Sequence, residues 1–145
     1  MNHQAVDILL VEDSESDAEL TIIALRKNKL INKIHHVVDG EQALEFLFKE
    51  KEADSVVFPK VVLLDLKLPK VSGIEVLEKM KADEKLKNIP VVVLTSSDEG
   101  SDLEKCYDLG VNSYIVKPVD FDKFVEAVSN IGMYWLLLNK SPDNH

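Results

Sequence analysis

The sequence predicts an α/β domain: a doubly wound parallel sheet of five strands with helices on both faces. Short apolar runs alternate with longer amphipathic ones, and no internal repeat, low-complexity tract or Gly/Ser linker divides the chain. That alternation is the signature of successive βα units. Three of the runs are nearly continuous in hydrophobic residues, as expected of strands covered on both faces. At 145 residues, with 46% hydrophobic and 30% charged content, the chain suits one compact domain that buries a core without disulfides or metals. The expected organisation is a tail over residues 1–5, a domain over 6–131, and a helix extension and tail over 132–145.

The elements follow in order. "DILLVE" (7–12) is the first strand, and Ser14 with Asp17 three residues later starts a helix in the pattern of a capping box. "KIHHVVD" (33–39) is the second strand, followed by Asp39 with Gln42 in the same pattern. "KVVLLD" (60–65) is the third, followed by Ser72 with Glu75. "PVVVLT" (90–95) is the fourth, and the helix "DLEKCYDLG" after it places Cys106 on an apolar side with Leu103 and Gly110. "SYIVK" (113–117) is the fifth, and Asp120 caps a last helix whose Phe121, Phe124, Val125, Val128 and Ile131 share one stripe. Right-handed crossovers then put the ligand site at the carboxyl ends of the strands, near the switch point of the winding.

Several function classes are excluded or demoted. The formal charge of -9 leaves no basic stripe to neutralise phosphates, which argues against nucleic acid as a partner. Cys106 is the only cysteine, so no internal disulfide can form and no Cys/His cluster offers a zinc site; it reads as a core thiol. The N-terminus lacks a signal-peptide pattern and "MYWLLL" is too short to span a bilayer, so a cytoplasmic protein without membrane partners is expected.

The residues at the strand ends carry the chemistry. Glu12 and Asp13 stand at and just after the end of the first strand, Asp65 closes the third, Thr95 the fourth and Lys117 the fifth, and in a parallel sheet all of them fall on one edge. Singly, Asp13-Ser14 reads as a helix cap, Thr95-Ser96 as a loop start and Lys117-Pro118 as a turn. Their joint placement makes a site. Carboxylates about 4 Å apart repel by roughly 4 kcal/mol per pair at an effective dielectric of about 20, so a cation must sit among them. Oxygen donors without His or Cys favour Mg²⁺, which binds one or two carboxylates together with a phosphate. Lys117 supplies a point charge for phosphate oxygen, Thr95 a hydroxyl donor, and Asp65 a carboxylate nucleophile that would become an aspartyl phosphate.

The stretches "LLVEDSESD", "VVLLDLKLPKVSGIEVL", "VVVLTSS" and "SYIVKPV" together resemble the receiver domains of two-component response regulators, over about residues 6–131. The resemblance implies a flavodoxin-like sheet of order 2-1-3-4-5. It also implies that Glu12 and Asp13 form the acidic pair, Asp65 is the phosphoacceptor, and the Lys67 backbone carbonyl is a further contact to Mg²⁺. Thr95 resembles the switch hydroxyl, Lys117 the phosphate-contacting lysine and Tyr114 the switch aromatic, and Lys117-Pro118 resembles the family's cis peptide. The implied function is a phosphoryl-accepting switch rather than an enzyme, served by a sensor histidine kinase or phosphotransfer protein. On phosphorylation it would alter the face built from the fourth helix, fifth strand and fifth helix.

Two features depart from the shortest members of that family: a longer route from Asp13 to Asp65, through "LINKI" and "EKEADSVVFPK", and an extension after Ile131. The chain is most similar to the single-domain regulators that partner phytochrome-type histidine kinases. An alternative, a small Mg²⁺-dependent phosphohydrolase, needs a second acid two residues after its nucleophile, where this chain has Lys67. A binding module that keeps only the fold is opposed by the intact set Glu12, Asp13, Asp65, Thr95 and Lys117. The "MYWLLL" segment makes the last helix apolar all round, which points to a homodimer with Tyr134, Trp135 and Leu138 as anchors.

Overall fold

The structure, a computed structural model, describes residues 6–27, 33–51, 58–96, 100–111 and 113–130. Five strands and five helices alternate along the chain: β1 (Ile8–Val11), α1 (Glu15–Leu25), β2 (Ile34–Val37), α2 (Gly40–Lys51), β3 (Val61–Asp65), α3 (Gly73–Lys81), β4 (Val91–Thr95), α4 (Gly100–Asp108), β5 (Ser113–Val116) and α5 (Phe121–Asn130). The strands form one parallel sheet, as the alternation of runs predicts, in the order β2-β1-β3-β4-β5 that the resemblance implies.

Strand alternation sorts the core into two layers. Leu9, Val11, Val62, Leu64, Val91 and Val93 face α2, α3 and α4, where Leu47, Leu77, Met80 and Cys106 meet them. Ile8, Leu10, Val61, Leu63, Val92 and Leu94 face the other way, onto Leu25 of α1 and Phe124 and Val128 of α5. The apolar runs at β1, β3 and β4 are continuous because both of their faces are covered. The edge strand β5 instead alternates, with Tyr114 and Val116 left exposed on one side.

Side chains start the helices where the sequence placed them. The Ser14 Oγ accepts the Asp17 N–H at 3.2 Å, and the Asp39 Oδ1 accepts the Gln42 N–H at 2.8 Å. Ser72 and Glu75 form a reciprocal capping box, and the Asp120 Oδ1 accepts the Lys123 N–H at 2.8 Å. Each of these caps occupies one of the donors that a helix N-terminus leaves without an intrahelical partner. Gly110, at φ 100°, lets the chain turn out of α4 so that the Val111 N–H reaches the Cys106 carbonyl at 3.1 Å.

One helix differs from the simple amphipathic expectation. α1 buries Ala18, Thr21 and Leu25 but also presents Leu20 and Ile23 to solvent at 60% and 63% exposure, so both of its sides are apolar. Of the last helix's expected stripe, Phe124 and Val128 are buried and Phe121 and Val125 are half-buried, whereas Ile131 lies outside the described residues. The same holds for the extension, including Tyr134, Trp135 and Leu138. Among the described residues no helix is long and apolar enough to cross a membrane.

Candidate functional site

The two-residue period of a strand decides which side chains meet at the carboxyl edge. Glu12 continues the phase of Ile8 and Leu10, Asp65 that of Val61 and Leu63, and Lys117 that of Ile115. These three therefore emerge on one face, in neighbouring parts of a sheet whose register pairs Val11 with Leu64 and Asp65 with Leu94. The Lys117 Nζ lies 2.8 Å from the Asp65 Oδ2, 2.9 Å from the Glu12 Oε1 and 3.5 Å from the Asp17 Oδ2. A single ammonium thus stands among three carboxylates.

Burial sets the electrostatics. The Glu12 side chain is only 1% exposed. Loss of solvation pushes its carboxyl up from 4.5 to about 7, with the Asp65 charge adding to the rise, while Lys117 and the Ser14 N–H oppose it. Its Oε2 accepts that Ser14 N–H at 3.1 Å. Its Oε1 faces the lysine as an ion pair but lacks a well-angled hydrogen bond. Burial alone would lower the Lys117 pKa, but the bonds and charges of Asp65 and Glu12 outweigh it and hold the group above the ordinary lysine value.

Asp13 is exposed at the mouth of this cluster, and one oxygen from each of Glu12, Asp13 and Asp65 lies within 4.8 Å of the other two. Hard oxygen donors at this spacing, one of them a buried acceptor without a well-angled hydrogen bond, fit a divalent cation such as Mg²⁺. The loop after β3 closes the floor of the site. The Lys67 N–H donates to the Asp65 Oδ1 at 3.1 Å, and the Gly73 N–H donates to the Leu66 carbonyl at 3.0 Å. A Cβ at Gly73 would collide with the Asp65 backbone carbonyl, so glycine is what lets α3 start so close to the acid.

Thr95 and Tyr114 stand apart from the cluster. Thr95 keeps the phase of Val91 and Val93, on the side of the sheet opposite Asp65, and its Oγ1 donates to the Ser96 carbonyl at 3.0 Å. The Tyr114 ring is 41% exposed and meets Tyr107 of α4 edge-on at 6.3 Å. The Lys117-Pro118 peptide is cis, and the Lys117 N–H donates to the Thr95 carbonyl at 2.9 Å.

Two residues near the site escape a reading of the strand ends. Asp17, the third partner of Lys117, sits four residues after Asp13, one helical turn on, so its spacing was a usable signal. His36 of β2 places its Nε2 2.8 Å from the Glu12 carbonyl, a contact that depends on the β1–β2 register and leaves no mark in the local sequence.

Residues 8–129 match the family described as the response regulator receiver domain. The probable methanogenesis regulatory protein FilR2 of Methanothrix harundinacea (strain 6Ac) is 44% identical over 93% of this chain and 86% of its own. Among solved structures, the bacteriophytochrome response regulator RtBRR is 50% identical with a TM-score of 0.81, over 94% of this chain and 84% of its own. The phosphorylated cyanobacterial phytochrome response regulator RcpA is 39% identical with a TM-score of 0.73, over 92% and 95%. The Mn²⁺-bound form of response regulator Rcp1 is 37% identical with a TM-score of 0.70, over 92% and 95%.

Proposed function

The chain belongs to the response regulator receiver family, and on that premise we propose that Asp65 accepts a phosphoryl group from the phosphohistidine of a sensor histidine kinase or phosphotransfer protein. The observation that carries the reading is the Asp65 carboxylate itself: nearly buried, held by the Lys117 ammonium at 2.8 Å and the Lys67 N–H at 3.1 Å, and flanked by two further acids. One Asp65 oxygen attacks phosphorus while the bond from phosphorus to the imidazole nitrogen breaks. The imidazole leaves with that electron pair and is neutral once a proton is in place on the ring. Lys117 then contacts a phosphoryl oxygen, and the rigid strand ends supply the positioning.

Glu12, Asp13, Asp65 and the Lys67 carbonyl would hold Mg²⁺, which when bound supplies charge neutralisation for the transferring phosphoryl group. The Mn²⁺-bound Rcp1 relative supports a divalent cation here. The phytochrome regulators among the relatives support a phytochrome-type kinase as the donor. A phosphohydrolase reading remains disfavoured because Lys67, not an acid, stands two residues after Asp65.

The readout is a rearrangement of the α4–β5–α5 face through Thr95 and Tyr114. Tyr107, Tyr114 and Val116 already expose 44%, 41% and 38% of their surface there, which gives that face apolar area to offer a partner or a second copy. Incubation with acetyl phosphate and Mg²⁺ should add one phosphoryl mass to the wild type and none to Asp65→Asn, whose amide is not nucleophilic; equal labelling of the variant refutes the assignment. Homodimerisation through the same face, anchored by Tyr134, Trp135 and Leu138, predicts that light scattering finds a dimer at tens of micromolar with beryllofluoride, roughly the range for weak interfaces. Trp135→Ala with Leu138→Ala should give the monomer. A wild type monomeric with and without beryllofluoride excludes the dimer.

A further inference from the structure

The backbone that presents the two leading acids is tied to the edge strand in two different ways. The β1–β2 ladder ends at Val11 and Val37, and one more backbone bond, from the Glu12 N–H to the Val37 carbonyl at 3.1 Å, carries it one step further. The Glu12 carbonyl is then taken by a side chain, the His36 Nε2 at 2.8 Å. A carbonyl only accepts, so the proton of this bond sits on the ring nitrogen. That carbonyl and the Asp13 N–H belong to one rigid peptide plane, whose tilt sets the direction in which the Asp13 Cα projects its carboxylate. No hydrogen bond or ion pair to another described residue holds the Asp13 carboxylate itself. Its aim therefore depends on the backbone. His36 is half-buried and lines, with Asp13, Glu15, Glu19, Ile22 and Val38, the groove between α1 and β2, so the ring stands at the mouth of the acidic cluster and outside it.

We propose that His36 is a positioning residue for the divalent cation: its Nε2–H, bonded to the Glu12 carbonyl, fixes the Glu12–Asp13 peptide plane and with it the aim of the Asp13 carboxylate into the cluster. The inference rests on the metal site of the proposed function. It is of the kind in which an outer group, itself never touching the ion, preorganises a ligand, and loss of such groups costs about 10- to 100-fold in metal affinity.

The test is calorimetric titration of the whole chain with Mn²⁺ for wild type, His36→Phe and His36→Gln. The Phe variant removes the donor and keeps a ring, and the Gln variant restores an N–H at comparable reach. Expected are Mn²⁺ binding by the wild type, an affinity roughly tenfold weaker for His36→Phe, and recovery to within about threefold for His36→Gln. Urea unfolding midpoints in EDTA should stay together for all three. Unchanged affinity in the Phe variant overturns the inference, as does a loss that Gln fails to recover or one that tracks a drop in metal-free stability. Should the Phe variant not fold, the wild type still decides: histidine ¹⁵N spectra must show the His36 Nε2 carrying a proton with and without Mg²⁺, and an Nδ1–H tautomer overturns the proposal. Absence of Mn²⁺ binding by the wild type refutes the metal site, a failure distinguishable from that of His36 alone.

Discussion

Replacing Glu12 by Gln removes a charge and keeps the shape, which isolates what burial does to this carboxyl. In the folded chain its pKa is raised from 4.5 to about 7, with desolvation the leading cause. A raised folded-state value means that folding favours the protonated form. The associated stability is fully present below about pH 4.5 and is lost as pH rises through about 7. The rise from 4.5 to about 7 corresponds to roughly 3 kcal/mol at most, most of it lost between pH 5 and 8. The assay is urea unfolding in EDTA at pH 5, 6, 7 and 8 for wild type and Glu12→Gln. The stability of the wild type relative to the variant should fall by roughly that amount across the series, a large part of a domain's net stability. Saturating Mg²⁺ should reverse the trend, because a cation held at the proposed metal site would bind the ionised carboxylate, with an affinity that grows as the proton leaves. Wild-type and variant stabilities that stay parallel from pH 5 to 8 in EDTA refute the reasoning.

Other expectations are narrower. Thr95→Ala should still take one phosphoryl group from acetyl phosphate but should show a much reduced beryllofluoride-induced change in tyrosine fluorescence, since in the proposed switch the hydroxyl couples to Tyr114 and performs no chemistry; a full-sized change refutes the coupling. Lys70 holds a left-handed backbone at φ 67°, and among the described residues its side chain, 62% exposed, makes only long ion pairs of 3.8 Å to Asp39 and 3.6 Å to Glu41. Lys70→Gly should therefore be more stable than Lys70→Ala by about 1 kcal/mol in urea unfolding, because only glycine relieves the backbone while both variants lose the weak pairs. An Ala variant at least as stable as the Gly variant contradicts that account.

Most of the scaffold was legible because its signals are local. "ILLV", "VVLLD" and "VVVLT" carry no alternation, so they had to be covered on both faces, and the structure buries all of them. Ser14, Asp39, Ser72 and Asp120 each cap a helix because a side-chain oxygen at that spacing meets an N–H without an intrahelical partner. The meeting of Glu12, Asp65 and Lys117 was readable as well, since strand ends of a parallel sheet share an edge. Sequence position could not say on which side of that edge a residue points. Thr95 is one residue past the phase that would bring it to Asp65, and its hydroxyl turns to Ser96. The contact of His36 with Glu12 was hidden for the same reason, because the pairing of Leu10 with His36 that makes it is a register and not a motif. Leu20 and Ile23 of α1 show a different gap: an apolar residue in a helical run signals burial, and only the packed structure shows that the core-facing side is filled by others.

The resting arrangement also bears on how the proposed switch gains its driving force. Lys117 is satisfied before any phosphoryl group arrives, with Asp65 at 2.8 Å and Glu12 at 2.9 Å, and Thr95 already spends its hydroxyl on Ser96 at 3.0 Å. Breaking the Thr95 bond costs about 1 kcal/mol net, whereas a hydrogen bond to a charged phosphoryl oxygen returns about 1.5–3 kcal/mol. In the proposed switch the aspartyl phosphate would carry about -1.5 to -2 charges where the Asp65 carboxylate carried about -1, so the ammonium would be retained by a stronger partner and not recruited from afar. The hydroxyl is thus the group with a net gain from moving. In the proposed switch its movement would draw the start of the β4–α4 loop toward Asp65 and open space on the side where Tyr114 stands exposed against Tyr107. On the proposed mechanism the lysine would fix the charge balance of both states, and the threonine, lying on the other side of the sheet at rest, would carry the difference between them.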